Sequence, residues 1–495
     1  MKDLDLYLQN SLTKNKEKFE PITEGYIGMY VCGPTVYSDV HLGNVRTFVS
    51  FDIMYRWLLY LGYKVRYVRN ITDVGHLLDN GEDRISKGAR LEKLEPMEIV
   101  QKYTNGFHKM MDIFNTKKPS IEPRATQHIL EQIEMVQAIL KNGYAYEVNG
   151  SVYFDTTKFH AEKKCYGDLS GRVIEELFTE TRDDLKNQSD KKHPSDFAIW
   201  MNASPEHIMK WNSPWGEGFP GWHLECSVMS TKYLGETFDI HGGGNDLKFP
   251  HHENEVAQNM GACGCAPSKY WLHTNMLLMN GKKMSKSDGN TISPDELFSG
   301  DSPHVSKGYS PMVVKFFMLQ SHYSSTLDLT DDALLAAEKG YKRLVEAIKT
   351  LSNLTSKHEG DKMDTDINAA LDEFEKHMSD DFNTPRAIAA LFEIVTKINS
   401  FKEGHLDINQ LSSDSFKRLS NDFPKFIDEV LGLTSEVASE SNNSALEGVM
   451  ELVLELRQDA RTNKNWDTAD KIRDGLAKHN IVVKDGKDGT NWTIS

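Results

Sequence analysis

An α/β fold with a doubly wound parallel sheet, followed by helices, is predicted by three features of this 495-residue chain. A strand–loop–helix–strand series runs from residue 25 to residue 70. A second α/β segment begins near Gly221. Beyond about residue 325 glycines thin out and long helical patterns dominate.

The elements follow in order. Residues 25–32 (GYIGMYVC) are rich in β-formers and run into the turn pair Gly33-Pro34. After His41-Leu42-Gly43-Asn44, the apolar residues Phe48, Phe51, Met54, Tyr55, Leu58 and Leu59 recur at helical steps, and Gly62 stands where a helix should stop. Residues 64–70 read as the next strand, completing a βαβ unit whose ligands are expected at the carboxyl ends of the strands. Residues 125–215 read as an insertion, with a helix over Arg124 to Asn142, a short strand over Gly150 to Phe154 and a charged stretch over Glu180 to His193. Then come a strand over Thr237 to His241, three glycines, and a helix from Pro250. Helices are expected over Asp331 to Lys349 and Thr384 to Ser400. Thr434 to Ser444 (TSEVASESNNS) reads as a linker, before a helix with Leu446, Val449, Met450 and Val453 on one face.

Composition excludes several classes. The 57 Lys plus Arg against 73 Asp plus Glu give −16, which disfavours a surface that coats nucleic acid but leaves room for a local basic groove. No apolar run is long enough to cross a bilayer, and Met1 to Glu20 lacks the apolar core of a secretory signal. Cys32, Cys165, Cys226, Cys263 and Cys265 are too few and too scattered for a disulfide framework, which fits a reducing cytoplasm.

Two loops suit a nucleotide. His41-Leu42-Gly43-Asn44 opens a helix, where unpaired N–H groups and the dipole favour an anion. His41 can donate to a phosphate oxygen there, and Gly43 lets the nucleotide approach. Alone, the tripeptide also fits a plain helix cap. Lys283-Met284-Ser285-Lys286-Ser287, framed by Gly281 and Gly289, suits a loop that closes on a polyphosphate. No G-x-x-x-x-G-K-[ST] occurs, and Gly242-Gly243-Gly244 does not match the dinucleotide fingerprint.

A third set can bind metal. His251 and Glu255 are four apart on one helix face, and with Cys32 and Cys226 they make a plausible Zn²⁺ site. The plainer alternative is two buried cysteines and a solvated acidic helix start. Cys263-Gly264-Cys265 reads as a pair in a loop outside this site, and Cys165 is isolated.

The two loops together resemble the "HIGH" and "KMSKS" elements of class I aminoacyl-tRNA synthetases, with Leu42 and Asn44 replacing isoleucine and the second histidine. Asn44 can donate a neutral hydrogen bond but cannot be a cation. Further blocks carry the resemblance to the cysteinyl-tRNA synthetase family. These are Tyr30 to Tyr37 (YVCGPTVY), Asn70-Ile71-Thr72-Asp73, Gly221 to Cys226 (GWHLEC), Phe238 to Gly244 (FDIHGGG) and Pro250 to Glu255, in family order.

That resemblance implies ATP-dependent attachment of L-cysteine to tRNA(Cys) through a cysteinyl-adenylate. Cys32, Cys226, His251 and Glu255 would hold one Zn²⁺ that takes the substrate sulfur, because an ordinary pocket separates cysteine from serine only modestly. Asp246 would hold the substrate ammonium, with Thr72, Trp222 and His241 around the pocket. His41, Gly43 and Asn44 would bind ATP, which brings Mg²⁺, and Lys286, helped by Lys283, would steady the leaving pyrophosphate.

Asp380 to Ala387 (DDFNTPRA) resembles the start of a helix in the family's bundle. Arg461, Trp466, Asp470 and Asp485 would read the anticodon by hydrogen bonds and stacking. The expected division is 1–124 and 216–268 for the two halves of a Rossmann-like catalytic domain, and 125–215 for the inserted connective subdomain. Next come 269–325 for the KMSKS and stem-contact region, 326–433 for a helical bundle, 434–444 for the linker and 445–495 for the anticodon-binding domain. A cytoplasmic monomer without membrane contact is expected. Two other readings are a catalytically silent paralogue that binds tRNA or zinc, and a ligase joining cysteine to an amino sugar.

Overall fold

The structure is a computed structural model that describes residues 2, 4–75, 85, 88, 90, 94–172, 190–205, 207–284, 289–434, 437–477, 481–486 and 489–494. The chain divides into two compact units, Met1–Leu433 and Thr434–Ser495. Among the described residues no helix is long and apolar enough to cross a membrane.

The first unit opens with a hairpin, β1 (Tyr7–Gln9) and β2 (Lys16–Lys18). Strand β3 (Tyr26–Val31), helix α1 (Leu42–Tyr60) and strand β4 (Lys64–Arg69) form the expected βαβ unit, and Gly62 follows the helix with φ of +95°. Helix α2 (Pro96–Ile113) and helix α3 (Ile129–Lys141) come next. The insertion is a five-stranded antiparallel sheet of β5 (Ala145–Val148), β6 (Ser151–Phe154), β7 (Phe197–Asn202), β8 (Trp211–Ser213) and β9 (Gly216–Pro220), in the order β5-β6-β7-β9-β8. Most of the charged stretch expected over 180–193 lies outside the described residues. Helix α4 (Trp222–Leu234), strand β10 (Phe238–Gly244), helix α5 (Glu253–Ala262) and strand β11 (Ser268–Thr274) complete the second α/β segment.

The central sheet is parallel, in the order β11-β10-β3-β4. From β3 the chain winds outward to β4, and from β10 it winds the opposite way to β11. The switch point therefore lies between β3 and β10, where a ligand crevice is expected in such sheets. Strand β10 differs from the sequence expectation in running on through Gly242, Gly243 and Gly244. Packing explains this: a Cβ on Gly242 would lie 2.1 Å from the Phe51 ring, and one on Gly243 would lie 2.8 Å from His252 Cε1. The glycines let α1 and the histidine layer lie directly on the strand.

The insertion shares the core of this sheet. Tyr30, Cys32, Val68, Phe154, Ile199, Trp200, Leu224, Cys226 and Phe238 belong to one buried cluster. A three-stranded sheet follows, in which β12 (Leu277–Met279) pairs antiparallel with β13 (Lys282–Lys283) and parallel with a strand that comes after helix α6 (Pro311–Leu319), β14 (Leu327–Leu329). Helices α7 (Asp331–Ser352), α8 (Asp364–Ser379), α9 (Thr384–Lys402) and α10 (Ser413–Lys425) form the bundle. Asn383 caps α9 by accepting from Arg386 N, with Pro385 in its first turn. Phe374 of α8 stacks on Phe426 at 4.0 Å and meets Trp57 of α1 edge-on, which seats the bundle against α1.

The second unit contains helix α11 (Val437–Thr462), helix α12 (Trp466–Ala477) and an antiparallel hairpin of β15 (Ile481–Gly486) and β16 (Gly489–Ile494). The unit boundary falls where a linker was expected, but the backbone is helical from Val437 on. The segment is polar and unpatterned, yet it holds no glycine or proline to stop a helix.

A candidate metal centre and nucleotide cleft

The carboxyl ends of β3 and β10 bring four distant side chains together. Cys32 follows β3, with its N–H donating to Gly242 O across the switch point. Cys226 lies on α4, while His251 and Glu255 lie on the turn before α5 and on α5 itself. One donor atom from each of Cys32, Cys226, His251 and Glu255 lies within 4.8 Å of all the others, and all four residues are buried. Cys32 Sγ is 3.6 Å from Cys226 Sγ and 3.6 Å from Glu255 Oε1. His251 Nε2 is 3.4 Å from Cys226 Sγ and 3.3 Å from Glu255 Oε1.

Neighbours hold these donors in place. Asn70, at the end of β4, accepts at Oδ1 from Gly33 N (2.8 Å) and from Cys226 Sγ (3.7 Å), and its amide donates to Thr72 Oγ1 at 3.0 Å. Gly33 must be glycine, since a Cβ there would lie 1.6 Å from Asn70 O. His251 Nδ1 is 3.0 Å from His223 Nδ1, and the Trp222 ring lies 4.8 Å from the His251 ring.

Beneath the set lies a second layer of imidazoles. His241 Nε2 is 2.8 Å from Glu255 Oε2, and its ring stacks on Trp271 at 4.2 Å. His252 Nε2 is 3.2 Å from Cys32 Sγ, while its Nδ1 is 2.8 Å from His273 Nε2. His273 Nδ1 in turn lies 2.8 Å from Ser11 Oγ. Cys32, His241, His252 and Glu255 consequently form a second four-donor set that shares two members with the first.

Burial dominates the electrostatics. It pushes the Cys32 and Cys226 thiols and the Glu255 carboxyl up, and holds His241 down at about 3, so every group is driven toward neutrality. Two thiols, a carboxyl and an imidazole gathered in a dry site, with no cationic side chain among them, have the donor chemistry of a divalent metal site. Zinc fits this set by ligand type and by convergence.

The loop expected to bind a nucleotide lies at the start of α1. His41 is the N-cap, and its Nδ1 accepts from Asn44 N at 3.3 Å. A Cβ on Gly43 would lie 3.0 Å from that nitrogen, so the glycine leaves room for the imidazole over the helix end. Lys283 is exposed at the end of β13, and Lys286 lies outside the described residues. Among the expected pocket residues, Thr72 is buried one hydrogen bond from Asn70, Trp222 is half-buried beside His251, and Asp246 is exposed just past β10. His241 is fully buried under Glu255. In the second unit Arg461 is in the last turn of α11, Trp466 and Asp470 are one turn apart on α12, and the backbone of Asp485 pairs with Thr490. The side chain of Asp485 lies outside the described residues.

Reasoning from sequence gave no role to Asn70, to His223 beside His251, or to His252 and His273 in the second layer. Asn70, His223 and His252 do stand in the blocks that carry the family resemblance, but nothing local marks them as supports of the metal set. Cys263 and Cys265 have their Cα atoms 5.6 Å apart and, with Glu236, form a donor group that shares no member with the two four-donor sets.

Comparison with known proteins gives the lineage. Residues 18–339 match the family described as tRNA synthetases class I (C) catalytic domain. Residues 373–435 match the DALR domain, and residues 445–492 the cysteinyl-tRNA ligase anticodon binding domain. The cysteine–tRNA ligase of Bacteroides fragilis is 49% identical over 99% of both chains, and that of Cytophaga hutchinsonii is 51% identical over 98% of both. That of Chlorobaculum tepidum is 46% identical over 99% of both chains. In fold, methionyl-tRNA synthetase from Mycobacterium tuberculosis, solved with methionyl-adenylate, covers 82% of this chain and 92% of its own at a TM-score of 0.60 and 14% identity. With full-length relatives at this identity and a catalytic-domain match across most of the first unit, the chain belongs to the cysteinyl-tRNA synthetase family of class I aminoacyl-tRNA synthetases.

Proposed function

We propose that this enzyme activates L-cysteine with ATP to give cysteinyl-adenylate and pyrophosphate, and then transfers the cysteinyl group to tRNA(Cys). The observation that carries this reading is the convergence of Cys32, Cys226, His251 and Glu255 at the switch point of the same sheet whose helix α1 begins with His41 and Asn44. That arrangement supports a reading in which a thiol-binding metal and the phosphates of ATP are held at the same switch point.

Cys32, Cys226, His251 and Glu255 are the residues proposed to hold Zn²⁺. Bound there, zinc supplies a thiolate-preferring Lewis acid. The first set is favoured over Cys32, His241, His252 and Glu255 by access. Trp222 and His223, beside His251, are only partly buried, whereas His241 and His252 are sealed at 0% exposure. His241 and His223 then orient Glu255 and His251 from behind. Asp246, exposed at the end of β10, is proposed to hold the substrate ammonium, with Thr72 and Trp222 along the pocket.

His41, Gly43 and Asn44 are proposed to bind the phosphates of ATP with its Mg²⁺. Lys283 and Lys286 would stabilise charge on the departing pyrophosphate. No side-chain nucleophile is needed, so rate comes from positioning and electrostatics. Arg461, Trp466, Asp470 and Asp485 are proposed to read the anticodon. Residues 445–492, which match an anticodon-binding domain, favour a tRNA acceptor over an amino sugar. A cytoplasmic location suits the buried thiols, which must stay reduced to bind metal.

The test is cysteine- and ATP-dependent charging of a tRNA bearing the GCA anticodon. Charging with cysteine and not with serine is expected, and adenylate formation without any transfer to tRNA would overturn the assignment of the second step.

A further inference from the structure

We infer that Arg46 is a positioning residue that locks the sheet carrying Lys283 to the helix carrying His41 and Asn44, and so sets the alignment of the two phosphate-binding elements. This rests on the function proposed above. Arg46 lies on α1, two residues beyond Asn44, and is only 2% exposed. Its guanidinium donates to four backbone carbonyls. Nη1 reaches Asn275 O at 3.0 Å and Met276 O at 2.5 Å. Nη2 reaches His322 O at 3.3 Å and also Ser325 O.

The four acceptors share one location. Asn275 and Met276 immediately precede β12, while His322 and Ser325 precede β14. Those two strands pair with each other, and β12 also pairs with β13, where Lys283 sits. Asn275 N donates to Tyr323 O, and Leu327 N donates to Met276 O, so the two strand starts are already joined. Arg46 ties that joint to α1. Among the described residues no carboxylate is paired with it, so its charge is met by carbonyl dipoles alone, and burial holds its pKa down at about 10. A planar five-donor fork can hold acceptors from two loops at once, whereas a lysine ammonium is a point charge on a flexible stem. Metal ligation involves none of these atoms. Loss of Arg46 should therefore disturb phosphate alignment while sparing zinc and cysteine binding.

The test uses the full-length, zinc-loaded protein with Arg46→Lys and Arg46→Ala. In cysteine-dependent ATP–pyrophosphate exchange, kcat should fall about 10- to 100-fold in Arg46→Lys, the scale expected when reacting groups are displaced by about an ångström. Zinc content and the KM for cysteine should stay within about twofold, and Arg46→Ala should lose more kcat than Arg46→Lys. Amide hydrogen exchange over residues 276–283 and 325–329 should accelerate in Arg46→Lys, while that of β10 and α4 should not change. An unchanged kcat in both variants overturns the inference, as does a joint loss of zinc, cysteine affinity and kcat. If Arg46→Ala does not fold, Arg46→Lys decides. If the parent protein shows no cysteine-dependent exchange, the proposed function fails, and the hydrogen-exchange comparison still decides whether Arg46 holds the strand starts.

Discussion

Glu255 and His241 share a buried contact of 2.8 Å between Oε2 and Nε2, which turns the other carboxylate oxygen toward His251 and Cys32. The carboxylate is thus divided between two layers, with thiols and His251 on one side and a sealed imidazole on the other. This division separates the two candidate ligand sets experimentally. Cys226→Ala should lose bound zinc and cysteine activation together, whereas His252→Asn should keep stoichiometric zinc and bind it about 10- to 100-fold more weakly, as expected for a supporting residue. Metal analysis after dialysis and chelator competition read both. Retained zinc in Cys226→Ala, with zinc lost in His252→Asn, would reverse the assignment.

Gly242 lies where β10 meets α1. The Cβ of Gly242→Ala would stand 2.1 Å from the Phe51 ring, so strand and helix must separate or the ring must move. Overpacking of this kind costs about 1–3 kcal/mol. A lowered urea midpoint is expected for Gly242→Ala, with partial recovery in Gly242→Ala/Phe51→Leu. An unchanged midpoint would mean the interface is looser than its geometry indicates.

A pH effect follows from Lys315, on α6. Its Nζ lies 3.3 Å from Asp52 Oδ2 and donates to Phe114 O at 3.0 Å, in a fully buried site that also holds Arg56. Burial outweighs Asp52 and brings the lysine down to about 8 from its ordinary 10.5. The folded pKa is below the unfolded one, so the unfolded chain binds more protons between those values. Stability from this group therefore rises as pH climbs from about 8 toward 10.5, by up to about 1.4 kcal/mol per pH unit. The difference in unfolding free energy between the parent and Lys315→Met should move in the parent's favour across that window. A flat difference would show that Lys315 keeps an ordinary pKa.

Trp466 is 59% exposed at the start of α12, one turn from Asp470. An aromatic ring so placed can stack on an unpaired base, worth about 1–3 kcal/mol. Trp466→Ala should lower kcat/KM for tRNA charging about 5- to 150-fold, the same energy expressed as a rate ratio, with pyrophosphate exchange unaffected. Equal charging by parent and variant would remove Trp466 from the anticodon contacts.

Much of the fold was legible because local rules suffice for it. The run of β-formers around Tyr30, the helical spacing from Phe48 to Leu59 and the stop at Gly62 are short-range signals, and the structure follows them. The glycines at 242–244 misled because their reason is not local. Gly242 and Gly243 are bare for the sake of Phe51 and His252, which only the folded chain brings near. Val437 to Ser444 misled differently, since polar residues without a breaker can extend a helix as readily as a linker. For the candidate site, spacing joined His251 to Glu255, but Cys32 and Cys226 are 194 residues apart, so ligand chemistry made the four-residue set only plausible and family resemblance singled it out. The histidine layer was illegible for the same reason. His241, His252 and His273 become a stack only when β10, α5 and β11 assemble.

Cysteine-dependent ATP–pyrophosphate exchange on zinc-loaded protein decides whether this enzyme selects its amino acid through a thiol-binding metal. Exchange is expected with cysteine, with at least about 100-fold weaker exchange with serine and a loss of activity that tracks removal of one zinc per chain. No exchange from protein that holds its full zinc, or equal exchange with serine, would contradict it.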